Sequence, residues 1–255
     1  MRFASLGSGS EGNGLIVESG VTRILLDCGF GVADTAARLS RLGLQAENVD
    51  AIFVTHEHDD HVGGAARFAA RHAIPVYLTY GTLSAAGASR FDGVEVNIID
   101  SHAPLAVGDI QVFPYPVPHD AREPSQFVFG DGARRLGVLT DAGCCTSHIE
   151  SMLRGADALV LECNHDLDLL MNSRYPPMLK QRIAGRLGHL DNASSAQLLK
   201  NIDCSRLKHV VAAHLSKQNN TAERARGALA AALGCEPQWV GVATQDEGFG
   251  WRELI

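Results

Sequence analysis

Nowhere in the 255-residue chain do about 18 uncharged apolar residues run together, so no membrane-spanning helix is expected. The N-terminal MRFASLGSGSEGNG lacks the cationic head and apolar core of an export signal, which argues against secretion. The cysteines, Cys28, Cys144, Cys145, Cys163, Cys204 and Cys235, form no CxxC pair and are scattered, as reduced thiols of a cytoplasmic protein would be. No tandem repeat, low-complexity tract or interdomain linker breaks the chain, so one domain over residues 1–255 is expected. A net charge of −7 argues against sequence-independent coating of nucleic acid. A metal centre would offset local acidity, however, so charge alone leaves the substrate open.

What is present is a globular composition, 45% hydrophobic and 20% charged. RFASLG, GLIVES and TRILLDCG have strand patterning, with a tight turn at Ser19-Gly20. ADTAARLSRLGL has helical spacing, DAIFVT returns to a buried strand, and HVGGAARFAARHA predicts a helix. IPVYLT, VEVNIID, IQVFPYPV, QFVFG, RRLGVLTD, ADALVLEC and KHVVAAH follow as strands. HDLDLLMNSRYPPMLKQRIAGRLGHLDN breaks into helical pieces around Pro176-Pro177, and ASSAQLLKNI has a helical look. AERARGALAAAL is a strong helix with Asn220 or Thr221 as its N-cap. Many strands with interspersed helices imply a layered α/β protein with mixed sheets.

The densest chemistry is HEHDDH, residues 56–61, three histidines and three acids directly behind the apolar DAIFVT. A strand anchors the turn, and neutral imidazole and ionised carboxylate are good ligands for Zn²⁺ and its transition-series neighbours. His56 and His58 can point to one ion while Asp60 and His61 serve a second. An isolated HxH would suit a solvated polar loop, but HxHxDH behind an apolar strand favours metal. Further ligands are expected at other strand ends: His119 after PYPVP, Asp141 after LGVLT and His214 after KHVVAA.

HEHDDH with the later VPH, TDAG and AHLS resembles the metallo-β-lactamase superfamily. The resemblance implies an αββα sandwich with a dinuclear site at one edge of the paired sheets. Carried over residue by residue, it assigns His56, His58 and His119 to one ion and Asp60, His61 and His214 to the other, with Asp141 bridging. It implies a hydrolase acting through a metal-bridging hydroxide, with two divalent ions of Zn²⁺, Mn²⁺ or Fe²⁺. Asp60 thereby serves as a catalytic residue as well as a ligand.

Two more residues resemble the Glu and His motifs of tRNase Z-type phosphodiesterases: Glu162 in LVLECNHD and His189 in GRLGHLDN. The resemblance implies that His189 protonates the leaving oxygen and Glu162 orients it. A structural carboxylate and a helix-start histidine are the plainer alternatives. SLGSGSEGNGLIVESG, THEHDDHVGG, TDAG, LECNHD, GHLDN and AHLSKQNNT together are similar to the WalJ/YycJ family, a cytosolic bacterial branch linked to 5′→3′ exonuclease activity on DNA. Asp191 stands where that family often has Ser, a charge that either weakens phosphate binding or faces solvent.

The glycine-rich SGSEGNG lacks the Lys and spacing of a P-loop and suits a tight turn under the active site better than a phosphate contact. From Asn172 to Leu190 there is no acidic residue, and Arg174, Lys180, Arg182 and Arg186 form a positive island. These cations are candidates for tracking a phosphate backbone with Tyr175 as a stacking surface, or else form a solvated helix face. His72, His102, His148, His165 and His209 are expected at the surface or behind the ligands, with His165 the one beside Glu162. The expected activity is that of a metal-dependent phosphodiesterase acting as a DNA exonuclease. A thioesterase or lactonase of the glyoxalase II or quorum-quenching type, or a non-enzymatic regulatory module, are the alternatives.

Overall fold

A computed structural model describes residues 1–255. The first sheet is built from β1 (Arg2–Gly7), β2 (Gly14–Ser19), β3 (Thr22–Leu26), β4 (Ala51–Phe53), β5 (Val76–Leu78) and β6 (Val96–Ile98), side by side in that order. The second holds β7 (Leu105–Val107), β8 (Ile110–Pro116), β9 (Ser125–Gly130), β10 (Arg135–Leu139), β11 (Ala158–Glu162), β12 (His209–Ala213) and β13 (Gly241–Val242), again side by side. The last strand, β14 (Phe249–Glu253), returns to the first sheet and pairs antiparallel with β1. The helices are α1 (Val32–Arg41), α2 (Asp59–Val62), α3 (Ala65–His72), α4 (Tyr80–Ala86), α5 (Ser147–Leu153), α6 (Leu167–Asn172), α7 (Pro177–Ile183), α8 (Asn192–Asn201) and α9 (Ala222–Leu233).

Alternation along the strands makes the layers. In β3, Ile24 and Leu26 join one apolar cluster while Leu25 between them joins another. The shared cluster lies between the sheets: Phe3, Val17, Ile24 and Phe53 meet Val112, Phe127, Leu136, Val160 and Val211. Phe53 stacks on Tyr77 at 4.6 Å between ring centroids and meets Phe127 edge-on at 5.4 Å. The outer face of the first sheet packs with α1 and α3 through Leu25, Ile52, Leu39 and Phe68. The outer face of the second packs with α5, α8 and α9 through Leu159, Leu161, Ile149, Leu198 and Leu229. The order helix, sheet, sheet, helix follows, because both faces of the central strands are apolar and each must be covered.

Two expectations need correction. HVGGAARFAARHA is not one helix starting after the histidines: α2 begins inside the cluster at Asp59, and the chain breaks before α3. Gly64 is pressed against the chain there, since a Cβ would meet the Phe30 carbonyl oxygen at 1.8 Å. Its amide donates to the Cys28 carbonyl at 2.8 Å rather than continuing a helix. Similarly, TRILLDCG is a strand only to Leu26, because Asp27 turns the chain at φ +60°. Of the two cap candidates for α9, Thr221 does the work: its Oγ1 accepts from the Arg224 amide at 3.2 Å.

Candidate metal centre

β3 and β4 run parallel, as do β10, β11 and β12. β8 is antiparallel to β9, which is antiparallel to β10, so β8 ends on the same edge as β10. The residues that follow these strand ends therefore converge on one crevice, the usual place for a site in a sheet with parallel strands. They are Asp27 after β3, His56 after β4, His119 after β8, Asp141 after β10, Glu162 closing β11 and His214 after β12. Asp27, Asp141 and His214 adopt φ of +60°, +51° and +54°, left-handed conformations that cost each residue roughly 1–3 kcal/mol. Strain collected at one edge of the sandwich is the mark of a functional site.

Donor atoms form four groupings, one of which joins Asp141 and His214 to Glu162 and His189. His56 Nε2 lies 3.0 Å and His119 Nε2 3.3 Å from His58 Nδ1. Asp60 Oδ2 lies 3.2 Å from His61 Nε2 and 3.3 Å from His214 Nε2. Between them sits Asp141, its Oδ2 3.0 Å from His61 Nε2 and its Oδ1 3.5 Å from His214 Nε2. The His56, His58 and His119 donors, and likewise those of Asp60, His61 and His214, fall within 4.8 Å of one another. His56, His61 and Asp141 form a third such group across the middle.

The charges are far from their ordinary states in the metal-free chain. Burial holds the His56 imidazole well below its usual range, with His61 adding to the effect. Burial opposes charge on His61 as well, but Asp141, Asp60 and Asp27 outweigh it and push that ring well above its usual range. Asp141 is held well below the carboxylate range against burial, chiefly by His214 and His61. Its Oδ2 is nonetheless buried without a well-aligned hydrogen bond, the 3.0 Å approach of His61 Nε2 being an ion pair only, and faces a nest of imidazole nitrogens. An orphaned carboxylate oxygen among five imidazoles and a second carboxylate is the donor set of a divalent cation such as Zn²⁺, Mn²⁺ or Fe²⁺, and the residues fit one.

Behind the ligands lies a layer that sequence reasoning missed. Asp27 Oδ2 is 2.7 Å from His61 Nδ1, and its Oδ1 accepts the Thr55 amide at 2.8 Å. The Thr55 hydroxyl reaches Asp27, His56 Nδ1 at 2.9 Å and His61 Nδ1 at 3.2 Å. Such partners fix the tautomer and orientation of a ligating ring. Asp27 had a legible signal, an acid closing the apolar TRILL as Asp141 closes LGVLT. Asn164, which donates to the His214 carbonyl at 3.1 Å, had none.

His189 and Glu162 are brought together. His189 Nδ1 donates to Glu162 Oε1 at 2.8 Å, while Glu162 Oε2 accepts the amides of Ala142 at 2.9 Å and Leu190 at 3.2 Å. One carboxylate thus anchors the Asp141 turn and holds the His189 ring. Burial works against charge on His189, yet Glu162 and Asp141 outweigh it and raise the ring to about 10.

A cavity of about 430 Å³ opens over the cluster, lined by His58, Asp60, Asp141, His189 and His214 on the floor and Tyr175, Leu179, Arg182 and Ile183 on one wall. The positive island divides here. Tyr175 and Arg182 line the cavity, and Arg182 Nε is paired with Asp120 Oδ2 at 2.6 Å. Lys180 is turned back onto the carbonyls of Met171 at 2.6 Å and Ser173 at 2.8 Å, and Arg174 and Arg186 are exposed on the outer side. His165 is fully buried, its Nδ1 3.3 Å from Asn164 Oδ1; His102 and His148 are exposed, and His72 and His209 half-buried.

Sandwich and strand-end cluster together define a metallo-β-lactamase fold, and the chain belongs to the Beta-lactamase superfamily, whose domain it matches over residues 22–215. Within it, the chain is 33% identical over all of its length, and 93% of the relative's, to a Bacillus anthracis protein named exodeoxyribonuclease YycJ. It is 31% identical over 94% of its length, and 91% of the relative's, to exodeoxyribonuclease WalJ of Streptococcus pneumoniae. Its fold matches that of the metallo-β-lactamase fold protein YhfI from Bacillus subtilis at a TM-score of 0.75, with 17% identity and 99% of each chain covered. The chain is an enzyme, a metal-dependent hydrolase. No helix is long and apolar enough to cross a membrane.

Proposed function

We propose that the chain works as one domain, a two-ion phosphodiesterase that removes nucleotides from DNA as an exonuclease. His56, His58 and His119 would hold one divalent ion, Asp60, His61 and His214 the other, with Asp141 between them. When bound, the ions supply the Lewis acidity that neutralises phosphodiester oxygens and ionises the attacking water.

The single observation that carries the phosphodiester reading is His189 on the cavity floor, held by Glu162 at 2.8 Å. With Nδ1 committed to that carboxylate, Nε2 is the ring nitrogen left to hand a proton to the leaving oxygen, and the flanking carboxylates keep the ring charged for that task. Asp60 completes the catalytic set, its carboxylate on the floor of the same cavity. Tyr175 offers a flat face to a terminal base and Arg182 a cation to its phosphate. Arg174 and Arg186, exposed but outside the cavity lining, suit phosphates further along the strand. The names of the full-length relatives agree with DNA as substrate.

The test is release of nucleotides from 5′-labelled single- and double-stranded DNA by protein loaded with Mn²⁺, Mg²⁺ or Zn²⁺. Replacing His189 by Ala is expected to slow cleavage about a hundredfold, the usual contribution of a general acid. Loaded protein that leaves all DNA intact while hydrolysing a thioester or lactone, with little dependence on His189, would replace this reading with an acyl hydrolase.

A further inference from the structure

The glycine-rich N-terminal loop lies beneath the metal centre, but beneath one half of it only. Asn13 is buried, and its amide orientation is fixed: Oδ1 faces the Gly9 amide at 2.9 Å, an atom that can only donate. The side-chain NH₂ is therefore the other end of the amide, and it reaches Asp60 Oδ2 and His61 Nε2, each at 3.1 Å, besides the carbonyls of Gly9 at 3.0 Å and Asp60 at 3.2 Å. Ser8 Oγ donates to Asn13 Oδ1 at 3.2 Å and accepts the backbone amide of His214 at 2.9 Å. Asp60, His61 and His214, all three members of one donor group, are thus touched by two side chains of the loop. His56, His58 and His119 make no hydrogen bond to it; their supports are Thr55 and the Gly188 carbonyl, 3.0 Å from His119 Nδ1.

The loop is itself braced. Asn13 N donates to the Asp60 carbonyl at 2.7 Å, and Gly29 N to the Asn13 carbonyl at 3.1 Å. A Cβ on Gly29 would meet the Asp60 carbonyl oxygen at 1.9 Å, so only glycine lets these segments approach so closely. From the far side, Gln245 accepts the Glu11 amide at 2.9 Å and donates to the Gly12 carbonyl at 2.8 Å. The loop is thus a platform braced from both sides, with Ser10 at its tip lining the cavity.

We infer that Asn13, supported by Ser8, is a positioning residue that selectively sets the affinity of the Asp60, His61 and His214 half for its ion, and so decides whether the centre carries one ion or two. A hydrogen-bond donor on a ligating carboxylate orients it and holds it ionised, and losing such a partner typically weakens metal binding 10–100-fold. Because the second half alone has this support, the two affinities respond separately. The inference rests on the two-ion reading above.

The experiment measures metal binding, not catalysis. Metal-free wild-type, Asn13→Ala, Ser8→Ala and Thr55→Val chains are titrated with Co²⁺ and Zn²⁺, and bound ions per chain are counted after gel filtration. Co²⁺-loaded samples are examined by paramagnetic proton NMR to assign shifted imidazole signals. Wild-type protein is expected to take two ions. Asn13→Ala should bind the first as wild type does and the second about 10–100-fold more weakly, losing the shifted signals of His61 and His214 but keeping those of His56, His58 and His119. Ser8→Ala, which leaves the Asn13 amide in place, should show the same selectivity with a smaller loss. Thr55→Val, which touches a histidine of each half, should weaken both ions. An unchanged first ion also shows that the variant is folded. Wild-type protein with two ions and an Asn13→Ala chain that keeps both affinities, or loses both equally, overturns the inference alone. Wild-type protein that never takes more than one ion overturns the two-ion reading and the inference with it.

Discussion

At the scale of single residues, Glu162 serves two structural places at once, because its two oxygens face different partners. Oε2 receives the amides that shape the Asp141 turn, and Oε1 receives the His189 ring. This bears on pH. His189 is raised to about 10 against the pull of burial, by Glu162 first and Asp141 second. Its acid form is therefore present through neutral pH and is lost as pH climbs through that value. In Glu162→Gln a carboxylate favouring the charged ring is gone, so the alkaline limb of the kcat/KM profile on a DNA substrate should move down by about one unit or more. A limb that stays put would assign it to another group.

What was legible at this scale follows a simple rule. Residues closing an apolar strand announce themselves, because a titratable group at such a place has few structural reasons to be there; His119, Asp141 and His214 were found in this way. Asn13, Thr55 and Asn164 lie inside the motifs that carry the resemblance, yet their residue types name no task of their own. Their types are common in turns, and their task depends on side chains up to 50 positions away, such as Asn164 with His214.

At the scale of elements, helices with strong local signals formed where expected. The α9 pattern, from the Thr221 cap to Gly234 at φ +66°, is such a case. Thr221→Ala should lower stability by about 1 kcal/mol in urea melts, since the Arg224 amide loses its acceptor. Asn220 should cost more when truncated, because its Nδ2 is buried and reaches both the Cys163 carbonyl at 2.7 Å and Asn192 Oδ1 at 2.9 Å. Elements absent from the sequence reading are short or depend on distant partners. The helix α5 spans Ser147–Leu153, only about two turns beyond its Thr146 cap. The strand β14 exists because β1, at the other end of the chain, offers it an edge. The Gly63-Gly64 break was hidden for another reason: two small residues inside a helical pattern do not reveal that a carbonyl from another segment will press on them.

At the scale of the whole molecule, the layer order was legible from the alternation of strands and helices together with the motif resemblance, and the pairing of strands within each sheet was not. The site joins the layers. His56, His58, Asp60 and His61 follow β4 in the first sheet, whereas His119, Asp141 and His214 follow β8, β10 and β12 in the second. A cation held by both sets ties the sheets together at one edge, so binding and stability are linked. Free Zn²⁺ or Mn²⁺ at about a hundred times its Kd should add roughly 2.7 kcal/mol, and chelation should remove it, seen as a lower Tm in differential scanning calorimetry. A Tm indifferent to chelator would mean that these residues bind no ion.

The helix α7, on the wall of the cavity, buries none of its residues. Tethers such as the Arg182 to Asp120 pair hold it in place, and none of its side chains belongs to the buried members of the three apolar clusters. Its place depends on hydrogen bonds instead of apolar packing, the His189 amide on the Ile183 carbonyl at 2.9 Å among them, so this wall and the imidazole on the floor are one mechanical unit.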